Sequence, residues 1–154
     1  MVTPRKRTPP GIQHAPLELE HFLPYRLSIL SNTISQGIAD DYQQRYDLSM
    51  TEWRVMAVLA RFEGLSAREV ADRTAMDKVA VSRALARLVE SGRVSRHMHD
   101  DDKRRSVLDL TEAGWAIHDV VAPMARAREA AVLEKLSEEE QVWLGRILDR
   151  LQDR

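Results

Sequence analysis

Cysteine is absent from the 154 residues, which excludes disulfide frameworks, thiol redox switches and cysteine-based zinc sites. No run of about 18 apolar residues occurs, so no segment is expected to span a membrane. The basic triplet Arg5-Lys6-Arg7 has no apolar stretch after it and does not read as a secretory signal, so a cytoplasmic protein is expected. A Gly-rich phosphate loop, a nucleophile elbow and a metalloprotease helix are all missing, and an enzyme is not expected. Strong net charge is missing too: 23 Lys and Arg against 24 Asp and Glu leave −1. We assign no cofactor.

The length suits one domain with a substantial core. The near-neutral total hides a segregation. Residues 66–105 hold ten basic and seven acidic side chains, residues 106–154 six and ten, and residues 1–65 seven of each. The basic excess thus falls on one central stretch and the acidic excess on the C-terminal part.

That central stretch runs from Leu65 to Thr111. Ser66-Ala67-Arg68-Glu69 spells a capping box that opens a short helix. Ala67, Val70, Ala71 and Thr74 then recur on one face. After a turn at Ala75-Met76, Asp77 is placed to cap a second helix, whose Val81, Ala84, Leu85 and Leu88 form an apolar stripe. Its other face carries Lys78, Val79, Ser82, Arg83, Ala86 and Arg87. Two helices meeting at a short turn, with small and cationic residues outward on the second, is the helix-turn-helix pattern for entering the DNA major groove. Gly92 follows the last periodic residue and can take the left-handed conformation that ends a helix. Arg93–His99 and Arg105–Leu110 read as half-buried strands, with Val94 and Met98, and Leu108 and Leu110, at even spacing. Their charged connection, 100–104, reads as the tip of a wing whose arginines suit a minor groove.

Asp102-Lys103-Arg104, followed after five residues by Leu110-Thr111, in register with the helix DKVAVSRALARLVESG, resembles the MarR family of bacterial transcriptional regulators. The upstream LSMTEWRVMAVLARFEGLS resembles the segment preceding the helix-turn-helix in that family, and the likeness covers roughly Leu19 to Leu151. It implies a mainly α fold with a small β wing, a winged helix-turn-helix flanked by long N- and C-terminal dimerisation helices. It also implies that two subunits interlock through those helices, that Arg104 is the minor-groove residue, and that small aromatic or phenolic ligands bind between the dimer helices and the reading head.

The expected organisation is a flexible arm over 1–16, a dimerisation helix over 17–48, the DNA-binding region over 49–110 and dimerisation helices over 111–154. The arm holds Pro4, Pro9, Pro10 and Pro16, and two readings of it stand: solvated chain, or phosphate contacts from Arg5, Lys6 and Arg7. Phe22, Leu23, Leu27, Leu30, Ile34 and Ile38 mark the first long helix, with Pro24 tolerable only in its first turn or as a kink. Ser49 and Glu52 form a second capping box, opening a helix so apolar that it should be central. Thr111 should cap a later helix in which Pro123 predicts a kink or a break, and Ser137-Glu138-Glu139-Glu140 a last one. Trp115 and Trp143 read as packing residues of this frame, and His118 as structural or exposed.

The expected DNA contacts are Ser66, Arg68, Lys78, Val79, Ala80, Ser82, Arg83, Arg87, Lys103, Arg104 and Arg105, with Asp102 holding the Arg104 guanidinium. His97 and His99 with the adjacent aspartates carry metal-capable groups, but the acidic loop has other duties and no metal is assigned. An effector cluster is read at His21, Phe22, Tyr25, Arg26, Trp53 and Met56, where Arg26 would pair a carboxylate and the aromatic rings would form walls. The expected function is a homodimeric repressor on a pseudo-palindromic operator in double-stranded DNA, released by a small aromatic effector. The alternatives are an architectural winged-helix protein without an effector, which a ligand titration distinguishes, and a protein-binding winged helix, which would lack salt-dependent DNA affinity.

Overall fold

The computed structural model describes residues 15–98 and 106–153. It falls into two compact units, Met1–Asn32 and Thr33–Arg154. In the first, a 3-10 helix, Leu19–His21, leads into the opening turns of α1 (Leu23–Tyr46). Pro24 is the second residue of α1, where its missing donor would have had no intrahelical partner. Leu17, Leu19, Phe22, Leu23, Tyr25, Leu27 and Leu30 are all exposed in this unit.

The second unit is built around α2 (Met50–Arg61). Val55, Met56 and Leu59 of α2 are buried with Ala39 and Tyr42 of α1 and Val121 of α5 (Glu112–Leu133). The same core takes in Val70 of α3 (Ala67–Thr74) and Val81, Leu85 and Leu88 of α4 (Lys78–Glu90). The sequence pattern predicts this central place, since α2 has apolar residues on most of its circumference. Each helix start is written locally. Ser49 and Glu52, Ser66 and Glu69, and Ser137 and Glu140 close reciprocal capping boxes, Asp77 accepts from the Ala80 amide at 2.9 Å, and Thr111 from the Gly114 amide at 3.1 Å. Ala75 ends α3 in the left-handed region (φ 51°), and Gly92 does so after α4 (φ 70°), with the Arg93 amide returning to the Leu88 carbonyl at 2.9 Å.

The wing strands β1 (Val94–Met98) and β2 (Ser106–Leu110) pair antiparallel, Val94 opposite Leu110 and Met98 opposite Ser106. The Leu108 amide also donates to the Leu65 carbonyl at 2.9 Å, tying the wing to the turn before α3. Burial is unequal. Val107, Leu108 and Leu110 of β2 are buried, whereas Val94 alone is buried in β1 and Met98 is half exposed, against the expectation of two half-buried strands. Met98 stands at the far end of the described strands, opposite Ser106.

Helix α5 continues without a break through Pro123. Arg128 of α5 donates two hydrogen bonds to Asp41 of α1, at 2.7 and 2.8 Å, and these hold the Asp41 carboxyl below its usual range. The stability from this tie is therefore present above the ordinary carboxylate pKa and is lost as pH falls through the lowered one. In α6 (Glu138–Leu151) no residue is buried, and Val142, Trp143, Leu144, Ile147, Leu148 and Leu151 are exposed. Trp115 and Trp143, expected as packing residues, are 41% and 50% exposed in the single chain. Among the described residues no helix is long and apolar enough to cross a membrane.

Candidate nucleic-acid interface

The apolar stripe of α4 is fixed against α2 and α3, so its opposite side is presented outward. Lys78, Val79, Ser82, Arg83 and Ala86 are exposed there, Val79 by 57%. Arg83 makes no ion pair or hydrogen bond among the described residues, which leaves its guanidinium available to an incoming acceptor. Ala80 is half-buried, and its amide is the one that Asp77 caps. Lys78 and Arg68 both approach Asp72, at 3.9 and 4.0 Å, in exposed pairs that solvent weakens and a phosphate can displace.

Two other residues of the expected DNA set are occupied. The Ser66 hydroxyl donates to Glu69 Oε2 at 2.7 Å and accepts the Glu69 amide at 3.3 Å, so it serves the start of α3. Arg87 is turned away from the outward face: its Nε lies 3.3 Å from the buried Glu52 carboxylate and its Nη2 3.6 Å from Asp47. Asp102, Lys103, Arg104 and Arg105 lie outside the described residues. So does His99; His97 is paired with Asp109 across the hairpin at 3.4 Å, and no cluster of three metal-capable groups occurs among the described residues.

Sequence reasoning did not pick out Arg93. Its guanidinium donates to the carbonyls of Tyr46 and Asp47, the latter at 3.3 Å, satisfying the C-terminal carbonyls of α1 with a cation. It also did not find the cation–π contact of Arg73 over the Phe62 ring, 4.0 Å from its centroid. Basic residues near a helix-turn-helix thus divide into those holding the scaffold and those facing outward, a division that charge counts do not reveal.

The expected effector residues fall in both units. His21, Phe22, Tyr25 and Arg26, all exposed, belong to the first unit. Met56 is fully buried in the core of the second. Trp53 instead lines a cavity of about 210 Å³ with Ser35, Ile38, Tyr42, Met50, Arg54 and Ala57. Arg54 donates to the Ser35 hydroxyl at 3.2 Å. The Tyr42 hydroxyl is buried with no hydrogen-bond partner among the described residues, and burial pushes its pKa up to about 12. Trp53 stacks on His118 at 5.8 Å, and Trp115 meets the same imidazole edge-on at 5.2 Å.

The sequence profile of the MarR family matches residues 46–105. The crystal structure of a MarR/EmrR family transcriptional regulator from Acinetobacter sp. ADP1 is similar at a TM-score of 0.80 and 29% identity, covering 89% of this chain and 96% of that one. Residues 46–105 thus match the MarR family, and the chain as a whole is similar to MarR-family regulators in sequence and fold. The HTH-type transcriptional repressor YetL of Bacillus subtilis is 29% identical over 119 residues, 76% of this chain and 71% of YetL. The likeness to Bordetella bronchiseptica BpsR, at 18% identity and a TM-score of 0.76 over 91% of this chain and 99% of that one, is one of fold. This chain's relatives are transcriptional regulators rather than enzymes, and its fold is that of a winged helix-turn-helix, mainly α with a small β wing.

Proposed function

We propose that this regulator is a cytoplasmic homodimeric repressor that binds a pseudo-palindromic operator and is released by a small aromatic effector. The observation that carries the DNA-reading part is the outward face of α4, where Val79, Ser82 and Arg83 stand exposed beyond a helix start capped by Asp77. Arg83 suits a guanine edge, Val79 a thymine methyl and Ser82 a phosphate. Arg104, oriented by Asp102 and flanked by Lys103 and Arg105, is the proposed minor-groove contact, on the family resemblance. The unpartnered apolar face of α6 supports assembly, because an area of this kind is unusual on a monomer. Half-sites are then about one helical turn apart, roughly 10 base pairs. A species of one chain mass in light scattering at micromolar concentration, or equal affinity for an isolated half-site, would overturn the dimer.

The repressor assignment is supported by the name of YetL. The effector assignment is supported by the Trp53 cavity and by BpsR, whose DNA binding is regulated by 6-hydroxynicotinic acid. A cavity of this size suits one aromatic ring, and its polar groups, Tyr42 and Arg54, suit an acceptor on that ring. A carboxylate anchor at Arg26, with His21, Phe22 and Tyr25 beside it, is proposed from the sequence. Only a ligand that binds the DNA-incompetent state more tightly can release the operator. Calorimetry with single-ring aromatic acids, with and without operator, tests this; no displacement by any of them favours the architectural alternative.

Tyr42→Phe separates the two duties of the residue. Deleting a buried hydroxyl that has no partner among the described residues should raise stability by about 1 kcal/mol at pH 7 while weakening effector binding. In the folded chain the Tyr42 proton is held up to about 12 against 10.0 for an ordinary tyrosine. The wild-type contribution is therefore whole below pH 10 and falls away as pH rises towards 12, so the advantage of the variant widens over that range. Thermal melts at pH 7 and pH 11 measure both; a variant less stable than wild type at pH 7 would refute the assignment.

A further inference from the structure

Glu52 is the third residue of α2, and its side chain is only 3% exposed. One carboxylate oxygen accepts the Ser49 amide at 2.7 Å and so closes the start of α2. The other faces Arg87 Nε of α4 at 3.3 Å. Asp47 also approaches Arg87 but is 94% exposed, so Glu52 is the partner that counts. The apolar contacts between α2 and α4 are non-directional, whereas a buried carboxylate tied at both oxygens accepts a guanidinium over a narrow range of positions. Arg87 sits one turn beyond Arg83 on the same helix, so whatever holds Arg87 also sets where Arg83 stands.

We infer that Glu52, acting through Arg87, is a positioning residue for DNA recognition, fixing the angle at which α4 is carried on α2. This rests on reading α4 as the recognition helix. Base-edge hydrogen bonds need close placement of α4 side chains, while phosphate contacts give affinity without reading sequence. The effect of breaking the pair therefore belongs to specific binding. Trp53, the next residue of α2, lines the cavity towards α1, so the same helix start meets the proposed effector on one side and the recognition helix on the other.

The test uses the full chain, a duplex selected by the wild-type protein from random sequence, and an unselected duplex, each over a series of salt concentrations. Arg87→Met and Glu52→Gln should each lower affinity for the selected duplex roughly tenfold, the scale on which residues without ligand contact modulate coupling. Affinity for the unselected duplex and the salt slope should stay as in wild type, the double variant should be no weaker than either single one, and Arg87→Lys should recover part of the loss. If Arg87 is instead a phosphate contact, Arg87→Met lowers both affinities and the salt slope by about one, and Glu52→Gln frees the guanidinium and raises both; that pattern overturns the inference. Should the buried Glu52→Gln variant fail to fold, the half-exposed Arg87 decides alone, and an unchanged affinity of Arg87→Met for the selected duplex refutes the positioning role. Arg83→Ala is run beside them: if it too is silent, the recognition-helix reading fails and the inference with it.

Discussion

Gly114→Ala is expected to destabilise the fold by about 2–3 kcal/mol, which for a chain of this length lowers the melting temperature by roughly 5–10 °C. A Cβ at this position would lie 2.2 Å from the Arg93 carbonyl oxygen and 3.2 Å from Leu110 Cδ2. The carbonyl is not free to swing aside, because it accepts the Thr111 amide at 3.1 Å, and the Thr111 hydroxyl donates to the Gly92 carbonyl at 2.6 Å while capping Gly114 itself. Relief must come from moving the start of α5 away from β1. Helix propensity alone favours alanine by about 1 kcal/mol, so the sign of the result isolates the overlap. Gly37→Ala serves as the internal contrast: nothing lies within 4 Å of where its Cβ would stand, and the same change there should be neutral or stabilising by up to about 1 kcal/mol. Equal melting temperatures for Gly114→Ala and wild type, at matched protein concentration, would refute the close approach.

Arg83→Ala should lower affinity for the selected duplex by about 1–3 kcal/mol, roughly 5- to 150-fold, and affect unselected DNA much less. Arg83 is exposed and unpaired among the described residues, so its removal takes no support from the fold, and circular dichroism and melting should match wild type. This separates it from Arg87, where the same substitution strands the buried Glu52 carboxylate. A loss spread evenly over both duplexes with a lower salt slope would assign Arg83 to phosphate rather than to a base.

What sequence makes legible here is what is decided within a few residues. A capping box closes over three positions, so Ser49, Ser66 and Ser137 announce their helices without knowledge of the rest of the chain. The stripe of Val81, Ala84, Leu85 and Leu88 likewise reports the buried side of α4. The features that stay hidden depend on distant partners. Nothing near Gly114 in sequence reveals that the Arg93 carbonyl stands against it, and nothing near Arg87 reveals Glu52. Met56 and Trp53 look alike as apolar residues of α2, yet one is sealed in the core and the other lines a cavity. Nothing near Tyr42 in sequence reveals that burial leaves its hydroxyl without a partner among the described residues.

The outward residues of α4 bear on how this protein can diverge. Val79, Ser82, Arg83 and Ala86 are exposed, while the start of their helix is set by Asp77 and its seat by the opposite stripe. Substitutions at these four positions fall outside the mechanisms that commonly unfold proteins. On the proposed reading of α4, a duplicated copy can therefore drift to a new operator through single replacements, each tolerated before it is useful, without first acquiring compensating changes in the core.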